Sequence, residues 1–384
     1  MGQERGHLRA QRGQPGQRHL GRALAEHRRR RAVTCGHPEP VTPRRDPPPL
    51  GVALVGAGRW ATVHRAALPR AGARLVGVAT GSDASRARVA REWDVFATTD
   101  MAALLARPEV EAVVIASPND LHATQACAAL EAGKHVLVEK PIAIDVASAE
   151  RVERAAEQSD RVLAVGLEMR VFTLFERVKA LLDEGALGAP VHLALDLFRR
   201  PHRAGSGGWK HDPERRGSSV LEEPIHYLDL ARWYLGEIAS LRAWAVSRPG
   251  REALREQLDV RLESERGAVA NVTRSVAAGG HAVDVRVVGE RAALRATWRG
   301  RMDVDPRPAV RLELHDAAGS RLLPITAATG HAHDVWRQTA AFVRSVRKGV
   351  EPPATAHDGV RSVELCHAVE RSLASGERVT LRQG

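Results

Sequence analysis

The stretch GVALVGAGRWA, residues 51–61, joins a short apolar run to a glycine-rich turn. It fits the pattern Gly-x-Gly-x-x-Gly/Ala, with Gly56, Gly58 and Ala61 at the three fixed positions. Between a strand and a helix, the first glycine permits a tight turn, the second lets backbone approach a pyrophosphate, and the third residue must be small for helix packing. The helix N-terminus would then face the phosphates. The predicted cofactor contacts in this stretch are Gly56, Gly58, Arg59 and Trp60.

Short apolar runs recur after this turn and alternate with helical patterns. The runs occupy residues 73–79, 110–117, 135–139 and 161–166. They are apolar at consecutive positions, as strands of a parallel sheet buried on both faces are. One intervening helix is expected to end at Gly133, and another is expected to begin at Asp145. Strands alternating with helices predict βαβ units and a parallel sheet.

From about residue 171 this alternation gives way to consecutive strands. Predicted strands cover residues 191–198, 240–248, 258–263, 268–276, 282–288, 292–298 and 309–315, and predicted helices cover 174–184, 225–235, 334–348 and 358–373. Strands that follow one another with few helices between them indicate an antiparallel or mixed sheet. We therefore divide the chain into a dinucleotide-binding domain, residues 50–170, and a substrate-binding and oligomerisation domain, residues 171–384.

Residues 1–49 differ from the rest of the chain in composition. They contain 11 arginines and four acidic residues, so they carry most of the net charge of +11. Having few apolar residues, they cannot offset the entropy of ordering, and we predict a disordered extension. The remaining chain is nearly balanced in charge and has no basic face with interleaved aromatic residues, which argues against nucleic-acid binding.

The cysteine count and the apolar runs bear on location. The three cysteines are widely spaced and form no Cys-x-x-Cys, so neither a disulfide framework nor a zinc site is indicated. No run reaches the roughly 18 apolar residues of a membrane span. We expect a cytoplasmic protein that does not bind a membrane.

The end of the second strand bears on the choice of dinucleotide. An NAD-preferring site usually has Asp or Glu there, whereas this chain has Thr80. Ser82 and Arg86 could accept a 2′-phosphate, which favours NADP, while Asp83 could bind the ribose and restore NAD. The cofactor is left as NAD or NADP.

Lysine is rare in this chain: only five of the 57 basic residues are lysines. Lys140 lies just past the predicted strand at residues 135–139, and ligands bind at the carboxyl ends of strands in open α/β sheets. Unlike arginine, lysine can give up a proton. Its amine there can polarise a carbonyl oxygen or hold an alkoxide while hydride moves.

Three stretches of this chain carry a family resemblance: GVALVGAGRWA, ASPNDLHATQACAALEAGKHVLVEKP and SSVLEEPIHYLDLARWYLG. On them the chain resembles the Gfo/Idh/MocA oxidoreductases. The resemblance implies an α/β protein with an N-terminal Rossmann parallel sheet and a C-terminal α/β domain with an open, predominantly antiparallel sheet. It also implies a homodimer or homotetramer formed through the C-terminal sheet.

The resemblance further assigns residues to the cofactor and substrate. Lys140 would lie beside the nicotinamide and contact substrate, Glu139 would line the cofactor site, and Arg170 would lie near both ligands. Trp209, in a long polar loop, is a candidate platform for stacking a sugar. Further contacts to the nicotinamide half would come from Ser117, Pro118, Asn119 and His122.

The stretch LEEPIHYLDL provides the candidate acid–base group. Glu222 and His226 are four residues apart and would share a helix face, where the family usually has Asp and His. A helix N-terminus disfavours the imidazolium, so His226 would be neutral and could act as general base. Glu222 would orient the sugar or His226, with Glu223 as its alternate. Asp229 is predicted to be a structural partner of His226.

We favour an NAD(P)-dependent dehydrogenase or reductase that acts on CH–OH groups of a sugar, sugar derivative or cyclitol. Two alternatives stay open on the same fold. One is an NAD(P)-binding regulator without turnover, and the other is a glycoside hydrolase that uses bound NAD for transient oxidation. Neither the Glu222/His226 pair nor residues 331–334 offer three ligands at a tight spacing, so no metal site is expected.

Overall fold

The structure of the protein is a computed structural model. It describes residues 48–200, 208–209, 212–250, 255–276, 280–302 and 304–381. The predicted disordered extension, residues 1–49, lies outside the described residues except for its last two positions.

The first sheet is fully parallel. Its strands are β1 (Leu50–Val55), β2 (Ala73–Ala79), β3 (Ala97–Thr98), β4 (Ala112–Ile115), β5 (His135–Glu139) and β6 (Leu163–Gly166). They are arranged in the order β3-β2-β1-β4-β5-β6. This is the Rossmann order, and the direction of winding reverses between β1 and β4, where dinucleotides bind. The predicted Rossmann sheet is confirmed.

Helices connect these strands and cover the sheet, because β1 and β4 are apolar and buried along their whole length. The helices are α1 (Arg59–Ala67), α2 (Asp83–Trp93), α3 (Met101–Leu105), α4 (His122–Glu131) and α5 (Val146–Glu157). Short 3₁₀ turns lie at Pro69–Ala71, Asn119–Leu121 and Glu168–Val171. The predicted N-cap Asp145 accepts a hydrogen bond from the backbone of Ser148 at 2.8 Å.

The second sheet is predominantly antiparallel, as predicted. Its strands are β7 (Pro190–Phe198), β8 (Ile238–Val246), β9 (Gln257–Ser264), β10 (Val269–Ser275), β11 (Ala282–Gly289), β12 (Ala293–Arg299), β13 (Ala309–Asp316), β14 (Gly319–Leu323) and β15 (Val379–Thr380). The order is β14-β13-β12-β11-β7-β10-β9-β8-β15, and the pair β7–β10 is parallel. Alternate residues of β9 and β10 are buried, so one face of the sheet packs on the core.

The remaining helices connect the two sheets. They are α6 (Thr173–Asp183), α7 (Pro213–Arg216), α8 (Pro224–Leu235), α9 (His331–Lys348) and α10 (Ala356–Ser375). Helix α9 packs against α1, and α10 packs against α5, α8 and β8. Phe342 and Val343 of α9 share one apolar core with Leu54 and Leu137 of the first sheet. A helix that follows the second sheet in sequence therefore helps to cover the first.

Candidate active site

The glycine turn after β1 has the geometry that a dinucleotide requires. Gly56 has φ +107°, and a Cβ there would lie 2.5 Å from the carbonyl oxygen of Ala116, so only glycine fits. A Cβ at Gly58 would have no atom within 4 Å, which leaves open space above the turn. Gly58 is the N-cap of α1, and no side chain caps this helix. The open space and the uncapped helix N-terminus fit a pyrophosphate.

The predicted ribose end is formed by short polar contacts. Thr80 is buried, and its hydroxyl donates to the carbonyl oxygen of Ser82 at 3.1 Å. Ser82 caps α2 through its hydroxyl oxygen. Arg86 is paired with Asp83 at 3.0 Å on the surface. Such exposed pairs contribute little energy, so Arg86 and Asp83 both remain available to a ligand.

His122 joins the loops that follow β4 and β5. Its ring is 1% exposed, and its nitrogens lie 2.7 Å from the carbonyl oxygen of Pro141 and 3.0 Å from that of Ser117. Burial lowers the pKa of His122, so the neutral ring is favoured. With both nitrogens facing backbone, His122 supports these loops. This placement differs from the predicted contact with the cofactor.

Two other residues predicted beside the nicotinamide face protein groups. The Ser117 hydroxyl donates to the side-chain oxygen of Gln125 at 2.6 Å, and Pro118 precedes the 3₁₀ turn at Asn119–Leu121. The Asn119 amide donates to the carbonyl oxygen of Arg216 at 3.0 Å and to Oε1 of Glu222 at 3.3 Å. Asn119 thus links the end of β4 to the segment before α8.

Lys140 connects the end of β5 to the segment before α8. The Lys140–Pro141 peptide bond is cis, and the Lys140 amine donates to the backbone carbonyl oxygen of Glu222. Because α8 begins at Pro224, Glu222 precedes the helix and does not form the predicted i, i+4 pair within it. The lysine and the start of the helix that carries His226 are therefore brought together.

His226 is the third residue of α8 and is 5% exposed. Its Nε2 lies 3.4 Å from Oε1 of Glu168, and Nδ1 of His331 lies 3.6 Å from the same oxygen. Burial, together with repulsion by Glu139, raises the pKa of Glu168 to about 8, although the positive charge of Lys140 opposes this shift. Glu168 thus provides a carboxyl partner for His226 that the sequence did not predict.

Glu139 lies at the end of β5 and is buried. Its Oε1 faces Nε2 of His64 at 2.8 Å and accepts from the Gln338 amide at 3.0 Å. Burial by itself would raise the pKa of this carboxyl, but the hydrogen bond and charge of His64 lower it. His64 in turn contacts Thr339 of α9 at 3.1 Å. Glu139 therefore connects β5 to α1 and α9.

Arg170 is at the centre of a buried ion-pair network. Its Nε and Nη2 donate to the Asp229 carboxylate at 2.8 and 2.7 Å, and Nη2 also donates to Asp358 at 3.0 Å. The network joins the turn after β6 to α8 and α10. It differs from the predicted contact of Arg170 with cofactor and substrate. The prediction that Asp229 partners His226 is wrong, because its carboxylate faces Arg170 and Ser362.

The long polar loop is described only in part. Trp209 lies in a short turn and is half-buried, and its carbonyl oxygen accepts from the Asp212 amide at 3.1 Å. Residues 201–207 and 210–211 lie outside the described part of the chain. Helix α7, at the end of this loop, packs against the turn that contains Asn119.

Sequence reasoning overlooked several residues of the site. Glu168 had one usable signal, since it is a charged residue in an apolar stretch just after β6, at the carboxyl edge of the sheet. His64 and His331 gave none, because their partners lie far away in sequence. Arg88 of α2 donates to the Ala57 carbonyl oxygen at 3.0 Å and thereby holds the glycine turn.

A Rossmann sheet with this turn, followed by a lysine and a histidine at its carboxyl edge, defines a nicotinamide-dependent oxidoreductase. The chain belongs to the Gfo/Idh/MocA family. Residues 50–167 match the family model described as "Oxidoreductase family, NAD-binding Rossmann fold", and residues 175–295 match the model of the GFO/IDH/MocA C-terminal domain. The predicted family, cofactor class and oxidoreductase activity are confirmed.

The similarity to named relatives extends across both domains. The chain is 31% identical to inositol 2-dehydrogenase of Streptomyces avermitilis over 86% of this chain and 94% of that one. It is 27% identical to 1,5-anhydro-D-fructose reductase of Ensifer adhaerens over 74% of this chain and 84% of that one. The crystal structure of GenD2 from gentamicin A biosynthesis, in complex with NAD, is 25% identical with a TM-score of 0.73. The similarity covers 89% of this chain and 100% of the GenD2 chain.

Proposed function

We propose that this enzyme transfers hydride between a nicotinamide and a secondary alcohol or ketone of a sugar, sugar derivative or cyclitol. The names of its relatives, an inositol dehydrogenase and an anhydrofructose reductase, support this substrate class. The observation that carries the proposal is the hydrogen bond from the Lys140 amine to the Glu222 backbone, four residues before His226. It holds a cation from one domain beside the acid–base helix of the other.

In the proposed reaction Lys140 and His226 act on the same substrate oxygen. Bound NAD or NADP supplies the hydride acceptor or donor. In the oxidative direction the Lys140 ammonium holds the substrate oxygen, and His226 takes its proton as general base. In the reductive direction Lys140 polarises the carbonyl and His226 returns the proton. The start of α8 favours the neutral imidazole that oxidation requires.

The substrate pocket would include Glu222 and Trp209. The Glu222 carboxylate, held by Asn119, can accept a hydrogen bond from a hydroxyl group of the substrate. Trp209 can provide an apolar surface for the ring carbons of a sugar. We keep Ser117, Pro118 and Asn119 as the nicotinamide side of this pocket. His122, Glu139 and Arg170 support it from within the protein.

Turnover tests this proposal directly. Thermal-shift screening with NAD⁺ and NADP⁺ selects the cofactor, and NAD(P)H absorbance then reports the oxidation of a panel of inositols and sugars. We expect Lys140→Ala to retain nucleotide binding and to lose about 100-fold or more in kcat. Lys179→Ala, which removes a lysine paired with Asp183 on α6, is the matched control. Full activity of the Lys140 variant would remove this lysine from the mechanism.

The same assay separates the alternatives. A regulator would bind nucleotide and produce no NAD(P)H with any member of the panel. A glycoside hydrolase would cleave a glycoside while releasing no stoichiometric NAD(P)H, because the nucleotide is regenerated in each turnover. Stoichiometric NAD(P)H formation from a polyol is the result expected here.

We further propose a homodimer or homotetramer formed through the second sheet. Phe198 of β7 and the β8 residues Trp244 and Val246 are on the outer face of this sheet, where Trp244 is 48% and Val246 68% exposed. Large apolar side chains on an open sheet face are typical of an interface. Sedimentation velocity of the purified chain measures the assembly, and a monomer would contradict it.

A cytoplasmic location is also proposed. In the part of the chain that the structure describes, none of the helices is both long and apolar enough to cross a membrane. Cys127 and Cys366 are free thiols. Unpaired cysteines fit a reducing compartment.

A further inference from the structure

Glu168 lies between two imidazole rings from different helices. Its Oε1 is 3.4 Å from Nε2 of His226 on α8 and 3.6 Å from Nδ1 of His331 on α9. The side chain is 2% exposed, and its second oxygen, Oε2, has no hydrogen-bond partner among the described residues. A buried carboxyl oxygen without a partner is costly when it is charged. The arrangement therefore favours a proton on or beside this carboxyl.

One of the two imidazole partners of Glu168 is packed against aromatic rings, and two charges act on the carboxyl itself. The ring of His331 packs edge-on against Phe172 at 5.0 Å and lies 5.5 Å from the ring of Trp60. From the end of β5, the negative charge of Glu139 and the positive charge of Lys140 both act on Glu168. Glu168 is 2% and His226 5% exposed, so the electrostatic interaction between them is screened less than it would be in water.

We propose that Glu168 is a positioning residue that shares a proton with His226, so that the two side chains together form the acid–base group for the substrate hydroxyl. This inference rests on the proposed function, in which His226 handles the substrate proton. The Glu222 carboxylate, predicted to orient the sugar or His226, accepts a hydrogen bond from the Asn119 amide. The conformation of the turn after β6 holds Glu168 against the helix that carries His226.

In the direction of oxidation, one proton moves from the substrate hydroxyl to this pair of side chains. The pair begins with one negative charge, a Glu168 carboxylate beside a neutral His226. The O–H bond of the substrate breaks and its proton goes to His226, while the carbinol C–H bond breaks and its electron pair leaves as hydride to the bound nicotinamide. The pair is then neutral, with the proton shared between imidazole and carboxyl, and it later releases this proton to water. Reduction of a ketone runs through the same states in reverse.

Sharing a proton makes the pH dependence a property of the pair. The groups facing Glu168 are His226, His331, Glu139 and Lys140, and burial and Glu139 together raise the pKa of Glu168 to about 8. Oxidation requires the deprotonated pair, so its rate rises with pH through an apparent pKa that belongs to both groups. Without the Glu168 carboxylate, His226 loses the negative charge that stabilises its protonated form.

The test compares Glu168→Gln with the wild-type enzyme in the oxidative direction. We expect the rising limb of kcat/KM against pH to move to lower pH by about one unit or more, with unchanged nucleotide affinity. Glu176→Gln is the matched control, because Glu176 is on the exposed side of α6 and pairs with Arg337. A Glu168→Gln enzyme that is slower at every pH, with the limb unmoved, would show a merely structural role and overturn the proposal.

A second measurement uses the wild-type chain and needs no substrate. Nitrogen-15 NMR of labelled histidine, with His226→Gln for assignment, follows the titration of His226 in the nucleotide complex. We expect its signal to titrate with the carboxyl, in two coupled steps. A single independent step would overturn the proposal even if Glu168→Gln does not fold. An enzyme that shows this coupling and yet turns over no sugar or cyclitol would refute the proposed function alone.

Discussion

Replacing Glu168 by glutamine should change how the stability of the protein depends on pH. The folded protein raises the pKa of this carboxyl from an ordinary 4.5 to about 8. Between these two values the folded state therefore binds a proton that the unfolded state has already released. The stabilisation from this proton is fully present at low pH and is lost as pH rises toward 8. Glutamine has the shape of the protonated acid and does not titrate.

The magnitude follows from the two pKa values. Each unit of pKa difference corresponds to about 1.4 kcal/mol, so the wild-type protein should lose about 3 kcal/mol relative to Glu168→Gln between pH 5 and pH 8. The variant should therefore gain stability over the wild type as pH rises. This sign is opposite to that of carboxylates in ion pairs, whose pKa values are lowered by their partners and whose stabilisation is lost in acid.

Urea denaturation at a series of pH values, followed by circular dichroism, gives the free energy of unfolding of both proteins. The Glu176→Gln protein serves as control, since its exposed pair with Arg337 should give a difference that is nearly independent of pH over this range. If the difference between Glu168→Gln and wild type stays constant from pH 5 to pH 8, Glu168 does not have a raised pKa. The electrostatic reasoning about its surroundings would then be wrong.

Two further predictions concern the glycine turn and the buried ion pairs. Gly58→Ala should leave the melting temperature unchanged without nucleotide, because a Cβ there meets no protein atom, yet should weaken nucleotide binding by about 10-fold or more in calorimetry. Equal affinity would show that the pyrophosphate lies elsewhere. Arg170→Met should cost about 3–5 kcal/mol in urea denaturation, since it leaves Asp229 buried without its cation. A loss similar to that of the more exposed Arg337→Met would contradict this.

The fold could be predicted largely because its signals are local. The buried strands are continuous apolar runs, and the glycine turn limits what can follow β1. Helix α2 escaped prediction because Val89 is its one buried residue, so its sequence has little apolar periodicity. Strand β14 is mostly exposed, and β15 consists of two residues that pair with β8. The sequence pattern of neither strand can be distinguished from that of a loop.

The candidate site was less predictable, since its contacts join distant parts of the chain. Lys140 and His226 could be singled out from the stretches around them, but their neighbours could not. The partner of His226 is a carboxyl in a 3₁₀ turn of another segment. Arg170 was placed beside the ligands because nothing in the sequence shows that Asp229 and Asp358 surround it. Periodicity predicts which residues are buried, and tertiary packing decides which of them meet.

Helix α9 has a consequence for how the protein is made. During synthesis the strands of the first sheet emerge long before Phe342 and Val343, which complete the apolar layer over Leu54 and Leu137. In the nascent chain this apolar layer therefore stays incomplete until almost the whole polypeptide has left the ribosome. Its exposed apolar surface can bind chaperones during that time. A fragment that stops after β6 lacks α9 and should therefore aggregate. The nucleotide-binding domain becomes stable only when translation is nearly finished.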